Sequence, residues 1–224
     1  MLGVVSVPVI GDSLVEANET FNVTLSTPAN ATIAAGGASG GLAWTQTAPS
    51  GTAPGLRSNA VGAYDATNDR LIIFGGAQFA ASYNEVWVLV NATQTNGSSS
   101  WQALSPTGTP PVPRNSGGVS YDAASNRLIV HGGHEGSASH TFYADAWVLT
   151  NANGLEATPP QWIPLPSAPV TRSLHAQEYD PLSNTLIVFG GYAGWGQPAR
   201  DDVWILTHAN GLGGTPAWTQ LSPI

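Results

Sequence analysis

Residues 71–76 read Leu-Ile-Ile-Phe-Gly-Gly, and the pattern returns as Leu128-Ile129-Val130-His131-Gly132-Gly133 and Leu186-Ile187-Val188-Phe189-Gly190-Gly191. Each begins with four consecutive large residues, too short a run for a helix and without the alternation of a half-wetted strand. It therefore predicts a strand covered on both faces. The two glycines that stop it suit a backbone needing positive φ or a close approach by another chain segment.

Working outward, other features keep the same spacing. Tyr64-Asp65, Tyr121-Asp122 and Tyr179-Asp180 lie upstream of the three runs, as do Arg57, Arg114 and Arg172, each series stepping by 57 and then 58 residues. Downstream come Trp87, Trp147 and Trp204, then Trp101, Trp162 and Trp218, with Trp44 as an extra member of the last series. Such agreement identifies internal repeats. Within each repeat the sequence predicts four short strands. The first covers Asn59–Tyr64, Gly117–Tyr121 and His175–Tyr179, the second is the apolar run, the third covers Val86–Val90, Ala146–Thr150 and Val203–Thr207, and the fourth covers Trp101–Leu104, Trp162–Leu165 and Trp218–Leu221. Asp- and Asn-rich turns (65–69, 122–126, 180–184) separate the first two, because these side chains bond nearby backbone and tolerate the left-handed region.

Four antiparallel strands repeated at a fixed period predict an all-β propeller of stacked blades. The set Arg57, Tyr64-Asp65, Leu71 to Gly76, Glu85-Val86-Trp87-Val88-Leu89 and Trp101 resembles a kelch repeat. The resemblance implies four-stranded blades with a double glycine closing the second strand. Three complete blades are expected, at about 57–104, 114–165 and 172–221, in a propeller segment covering 44–224. Trp44–Thr47 reads as an orphan fourth strand. Three blades are fewer than a closed ring uses. The expectation is a partial or open propeller: a fragment of a larger protein, a half that a homodimer completes, or blades whose edges some other element covers.

The first 34 residues follow another pattern. Val7-Pro-Val-Ile-Gly-Asp12 through Phe21-Asn-Val-Thr-Leu25 resembles the last strands of a Calx-β domain, a family whose acidic ends can bind calcium. Here Ala34-Ala-Gly-Gly-Ala-Ser-Gly-Gly41 replaces the acidic tail, and residues 35–43 read as a glycine-rich linker. Gly37-Ala38-Ser39-Gly40-Gly41 matches G-x-S-x-G but lacks the strand-to-helix turn a nucleophile elbow needs. Met1–Ile10 has no basic start and reads as a strand, not a signal peptide.

Composition narrows the function. The 224 residues include 26 Gly and 17 Pro, only 9% are charged, no lysine occurs, and the formal charge is −8. That balance excludes the basic stripe of a nucleic-acid binder. No apolar run is long enough for a membrane helix. With no cysteine there is no disulfide, thiolate metal site or cysteine nucleophile. The cysteine-linked tyrosine of galactose-oxidase-type copper enzymes, which share a kelch-like fold, cannot form either.

In a four-strand meander the loops joining strands 2–3 and 4–1 emerge on one face. This face gathers Phe79, Tyr83, His134, His140, Phe142, Tyr143, Tyr192, Trp195 and Arg200, with the proline-rich approaches to Arg57, Arg114 and Arg172. Aromatics with arginine are the residue types of binding hot spots. The three repeat arginines could also bind carboxylates, or serve the architecture by tying adjacent blades. Glu85, Asp145 and Asp202 read as hydrogen-bond acceptors inside the blades. His131, His134, Glu135 and His140 have the chemistry of a metal cluster, but His131 aligns with Phe74 and Phe189, so it reads as a packing residue and no metal or cofactor is expected. His175 and Glu178 lie on a first strand and would add polarity to the central channel in a hydrated structural role. The expectation is a non-catalytic module binding a protein or glycan through the loop face. The two-module resemblance implies an extracellular or cell-surface setting. A fragment of a carbohydrate-active propeller enzyme and a calcium-dependent structural module are the alternatives.

Overall fold

A computed structural model describes residues 46–222 apart from 95–96 and 137–140. The Calx-β-like stretch, the linker, Trp44 and His140 lie outside the described residues.

Each apolar run forms a strand because the strands on both sides of it in its sheet satisfy its backbone, and at least one of its faces packs against the sheet of an adjoining blade. Blade 1 contains β1 (Val61–Asp65) and β2 (Arg70–Phe74), then β5 (Val86–Val90) and β6 (Ser100–Ala103). A small hairpin, β3 (Ala77–Gln78) and β4 (Ala81–Ser82), interrupts it and was not apparent in the sequence. Blade 2 is β7 (Gly118–Asp122), β8 (Arg127–His131), β9 (Ala146–Thr150) and β10 (Trp162–Leu165). Blade 3 is β11 (Ala176–Asp180), β12 (Thr185–Phe189), β13 (Val203–Thr207) and β14 (Ala217–Leu221). Every blade is an antiparallel meander in sequence order. Register is equivalent throughout: Ala63 faces Ile72, Ser120 faces Ile129 and Glu178 faces Ile187. Between blades, β1 approaches β7 and β7 approaches β11, so the first strands lie innermost. The described residues contain no helix, and none is therefore long and apolar enough to cross a membrane.

The turns follow the expected chemistry. Asp65 accepts from Thr67 N–H, Asp122 from Ala124 N–H and Asp180 from Leu182 N–H. Asp69, Asn126 and Asn184 close the turns with φ of 51°, 50° and 52°. The orphan strand differs: Gln46 and Thr47 form no strand, and the chain instead meets blade 1 through a parallel bridge of Ser50 to Ser100. The same bridge recurs as Thr107 to Gln161, so a passing proline-rich segment touches the outer strand without joining it.

The core lies between blades. Ile72, Phe74 and Val88 of blade 1 pack on Leu128, Val130 and Trp162 of blade 2. The Phe74 and Trp162 rings meet edge to face at 5.3 Å. Ile129 and Val148 pack on Tyr179, Leu186 and Val188 of blade 3. Full burial of each such side chain is worth about 1.5–3 kcal/mol. Polar bonds fix the angle between sheets. Asp65 accepts from Tyr121 Oη at 3.2 Å and Asn153 Nδ2 at 2.9 Å. Asp122 accepts from Tyr179 Oη at 3.4 Å and Asn210 Nδ2 at 2.8 Å. Burial opposes ionisation of both carboxyls, but these and the turn bonds hold their pKa values below the ordinary one.

Candidate loop-face binding site

The loops expected to share a face do so. Ser58, Asn115 and Ser173, from the approaches to the first strands, bridge to Ala77, His134 and Tyr192 in the 2–3 loops. The glycine pairs permit this, because Gly75 and Gly76 have φ of 68° and 93° and a Cβ on Gly75 would strike the Arg114 carbonyl of the next blade.

Beneath the face, each repeat arginine is held in a clasp. Arg114 is buried and its guanidinium meets both Asp145 oxygens, at 2.5 and 2.7 Å, and the Gly132 carbonyl at 3.0 Å. Arg172 meets both Asp202 oxygens at 3.0 Å and the Gly190 carbonyl at 2.7 Å. Arg57 donates to Glu85 at 2.8 Å and to the Gly75 carbonyl at 3.0 Å. The indoles of Trp87, Trp147 and Trp204 complete the three clasps by donating to the same acids. Burial disfavours the Asp145 and Asp202 anions, yet the arginine bonds hold both pKa values low. The guanidiniums are thus spent inside their own blades, and Arg114 and Arg172 have no free edge for a ligand. Their backbones make the tie between blades: Gly76 N–H donates to the Arg114 carbonyl, and Arg114 N–H to the Tyr83 carbonyl.

Tyr83 and Tyr143 support the clasps from above, with the Arg57 and Arg114 guanidiniums 4.6 and 4.5 Å from their ring centres. Arg200 occupies this position in blade 3 and lies 3.6 Å from Asp202. Burial raises the Tyr143 pKa, with Glu135 adding to the effect.

Two features stand above this layer. Between blades 1 and 2, a groove of about 330 Å³ is lined by Ala80, Ser82, Val112, Pro113, Glu135, Gly136 and Tyr143. Ser82 Oγ holds its two walls together, accepting from Gly136 N–H at 2.7 Å and from Asn115 Nδ2 at 3.2 Å. At the tip of the β3–β4 hairpin beside it, Phe79 is 95% exposed at a φ of 53°. A bulky residue in the left-handed region is strained. Between blades 2 and 3, His134 stacks on Phe142 at 5.1 Å and meets Trp195 edge-on at 5.5 Å, while its Nδ1 lies 2.8 Å from Ser173 Oγ. His134 is buried, whereas Trp195 and Tyr192 are part of the surface, at 53% and 38% exposure.

His131 is packed away from this face, against His175 at 3.3 Å and the Trp218 ring at 4.9 Å. No group of acids and histidines able to hold a metal occurs among the described residues. Contrary to the hydrated role expected of it, His175 is packed between blades. Burial lowers its pKa to about 4, and burial with the adjacent His175 lowers that of His131 well below the ordinary value. Glu178 remains exposed on the innermost strand. The sequence did not signal Ser82 or Val112 as groove residues, because neither stands at a repeated position and each is brought to the groove by loop shape.

The repeated sheets, glycine pairs and clasps agree with a family profile described as the KLHDC2/KLHL20/DRC7 Kelch-repeats domain, which matches residues 39–166. The chain belongs to the kelch-repeat family. No curated protein matches it. Among 129 solved chains that match, that of YjhT aligns with a TM-score of 0.56 at 15% identity, covering 76% of this kelch chain and 48% of its own length. The chain thus spans about half of that structure, and the likeness concerns the fold. Kelch-repeat domains are generally protein-interaction modules and usually non-catalytic.

Proposed function

We propose that this kelch segment is a non-catalytic interaction module that takes a protein partner in the loop-face groove between blades 1 and 2. The observation that carries the reading is Phe79, held in strained backbone and almost wholly exposed beside a preformed groove. Strain maintained at a solvent-exposed aromatic points to use, and a rigid aromatic anchor is the commonest form of a binding hot spot. Ala80, Val112 and Pro113 offer apolar contact, while Glu135 and Tyr143 supply polar groups that fix orientation. A formal charge of −8 favours neutral or basic partners during encounter.

The test is a binding screen against protein and glycan libraries, repeated with Phe79→Ala and Tyr143→Ala. A protein ligand whose affinity drops about tenfold or more in each variant supports the proposal. Equal binding by the parent and both variants overturns the site, and binding of glycans alone overturns the partner class.

A further inference from the structure

The two open ends of the blade array carry unspent groups that complement each other. Along the inner rim, Leu174 N–H donates to the Ser116 carbonyl at 2.9 Å and Ser116 N–H to the Asn59 carbonyl at 3.0 Å. This series ends in an Asn59 N–H on blade 1 and a Leu174 carbonyl on blade 3, neither with a backbone partner among the described residues. At the glycine pairs, Gly133 N–H donates to the Arg172 carbonyl at 2.8 Å and Arg172 N–H to the Tyr143 carbonyl at 3.0 Å, as in the tie between blades 1 and 2. Among the described residues the equivalent groups on blade 3, the Gly191 N–H and the Arg200 carbonyl, have no such partner, and on blade 1 neither do the Arg57 N–H and carbonyl. Each open end therefore offers three groups, with donor facing acceptor in every pair.

The side chains match as well. In β12, Leu186 and Val188 are fully buried against blade 2, while Ile187 and Phe189 on the other face are 42% and 51% exposed. Their equivalents in blade 2, Ile129 and His131, are fully buried. Blade 1 has Leu71 and Ile73 where blade 3 has Leu186 and Val188. It thus retains the aliphatic pair that blades 2 and 3 press into the preceding blade.

We propose that blade 1 of a second copy docks on the open face of blade 3 and that the reciprocal contact closes a two-chain ring. The docking repeats a junction already made twice within the chain, between blades 1 and 2 and between blades 2 and 3. A contact between unlike faces gives either a closed ring or an open filament. Closure also removes an apolar sheet face that would otherwise stay wet.

The experiment is sedimentation equilibrium on the full chain, followed by cross-linking. A species of twice 23.1 kDa is expected, weakened at least about tenfold by Phe189→Asp, a change at an exposed site that leaves the fold intact by circular dichroism. A monomer at high micromolar concentration overturns the proposal, as does an open-ended ladder of oligomers. Because the chain has no cysteine, Ile187→Cys and Leu71→Cys proteins can be prepared separately, mixed and treated with a short bis-maleimide. Cross-links between the two species support head-to-tail docking. Cross-links confined to Ile187→Cys pairs indicate face-to-face pairing and overturn it.

Discussion

Blade 2 and blade 3 have nearly the same second strand, Leu-Ile-Val-His and Leu-Ile-Val-Phe, yet one is buried on both faces and the other on one. The difference lies outside the strands: among the described residues blade 2 has a neighbour on each side, and blade 3 has one. The same apolar run is thus buried on one face or on two according to the sheets packed against it, and its sequence does not report which. Blade 1 differs from blade 2 in another way. Its clasp carboxylate, Glu85, is 48% exposed at the side chain, against 27% for Asp145, and only Asp145 engages its arginine through both oxygens.

The largest expected effect comes from breaking the clasps. Arg114→Ala leaves Asp145 and the Gly132 carbonyl without their buried partner and should cost about 3–5 kcal/mol. Arg57→Ala removes a wetter pair and should cost less. Equal losses in denaturant titrations would show that burial does not distinguish the two blades. Next, Ile129→Ala opens a cavity between blades and should cost about 2–5 kcal/mol. Ile187→Ala, at the equivalent exposed position, should remain within about 0.5 kcal/mol in the monomeric Phe189→Asp background. Comparable losses there would contradict an open blade 3.

A smaller effect depends on pH. The unfolded chain protonates His175 near 6.5, whereas the folded chain does so near 4. The unfolded state therefore binds more protons in that window, and stability must fall as pH drops from about 6.5 to about 4. His131 shifts in the same direction. His131→Phe takes the residue that blades 1 and 3 use at this position and should flatten part of that slope. An unchanged pH profile of the denaturation midpoint would show that the pair is not the source. The smallest effect is at the hairpin tip: Phe79→Gly relieves a positive φ and should change stability by no more than about 1 kcal/mol, in the stabilising direction. Substantial destabilisation, read from thermal melts, would mean that Phe79 packs instead of protruding.

Much of the architecture was legible in the sequence because each blade reuses the same solutions. Strand positions followed from Leu71, Leu128 and Leu186 and from the tryptophan series, and the Asp and Asn turns followed from their side-chain chemistry. Reading Glu85, Asp145 and Asp202 as acceptors inside the blades agrees with the structure, which adds that their donors are the repeat arginines. The site was less legible. Phe79, Tyr143 and Trp195 could be assigned to one face from topology, but the β3–β4 hairpin and the groove at Ser82 could not. They depend on loop paths that no period constrains.

The sequence by itself determined the repeat, its four strands, the double-glycine stops and the absence of cysteine chemistry, since these are local patterns imposed on every unit. Only the tertiary structure decided which arginines are buried, that His131 and His175 meet between blades, and which apolar face has no neighbour among the described residues. Those outcomes depend on contacts between residues far apart in the chain, 31 positions for Arg114 and Asp145 and 44 for His131 and His175, and a strand's own sequence is the same whether or not another sheet lies against it.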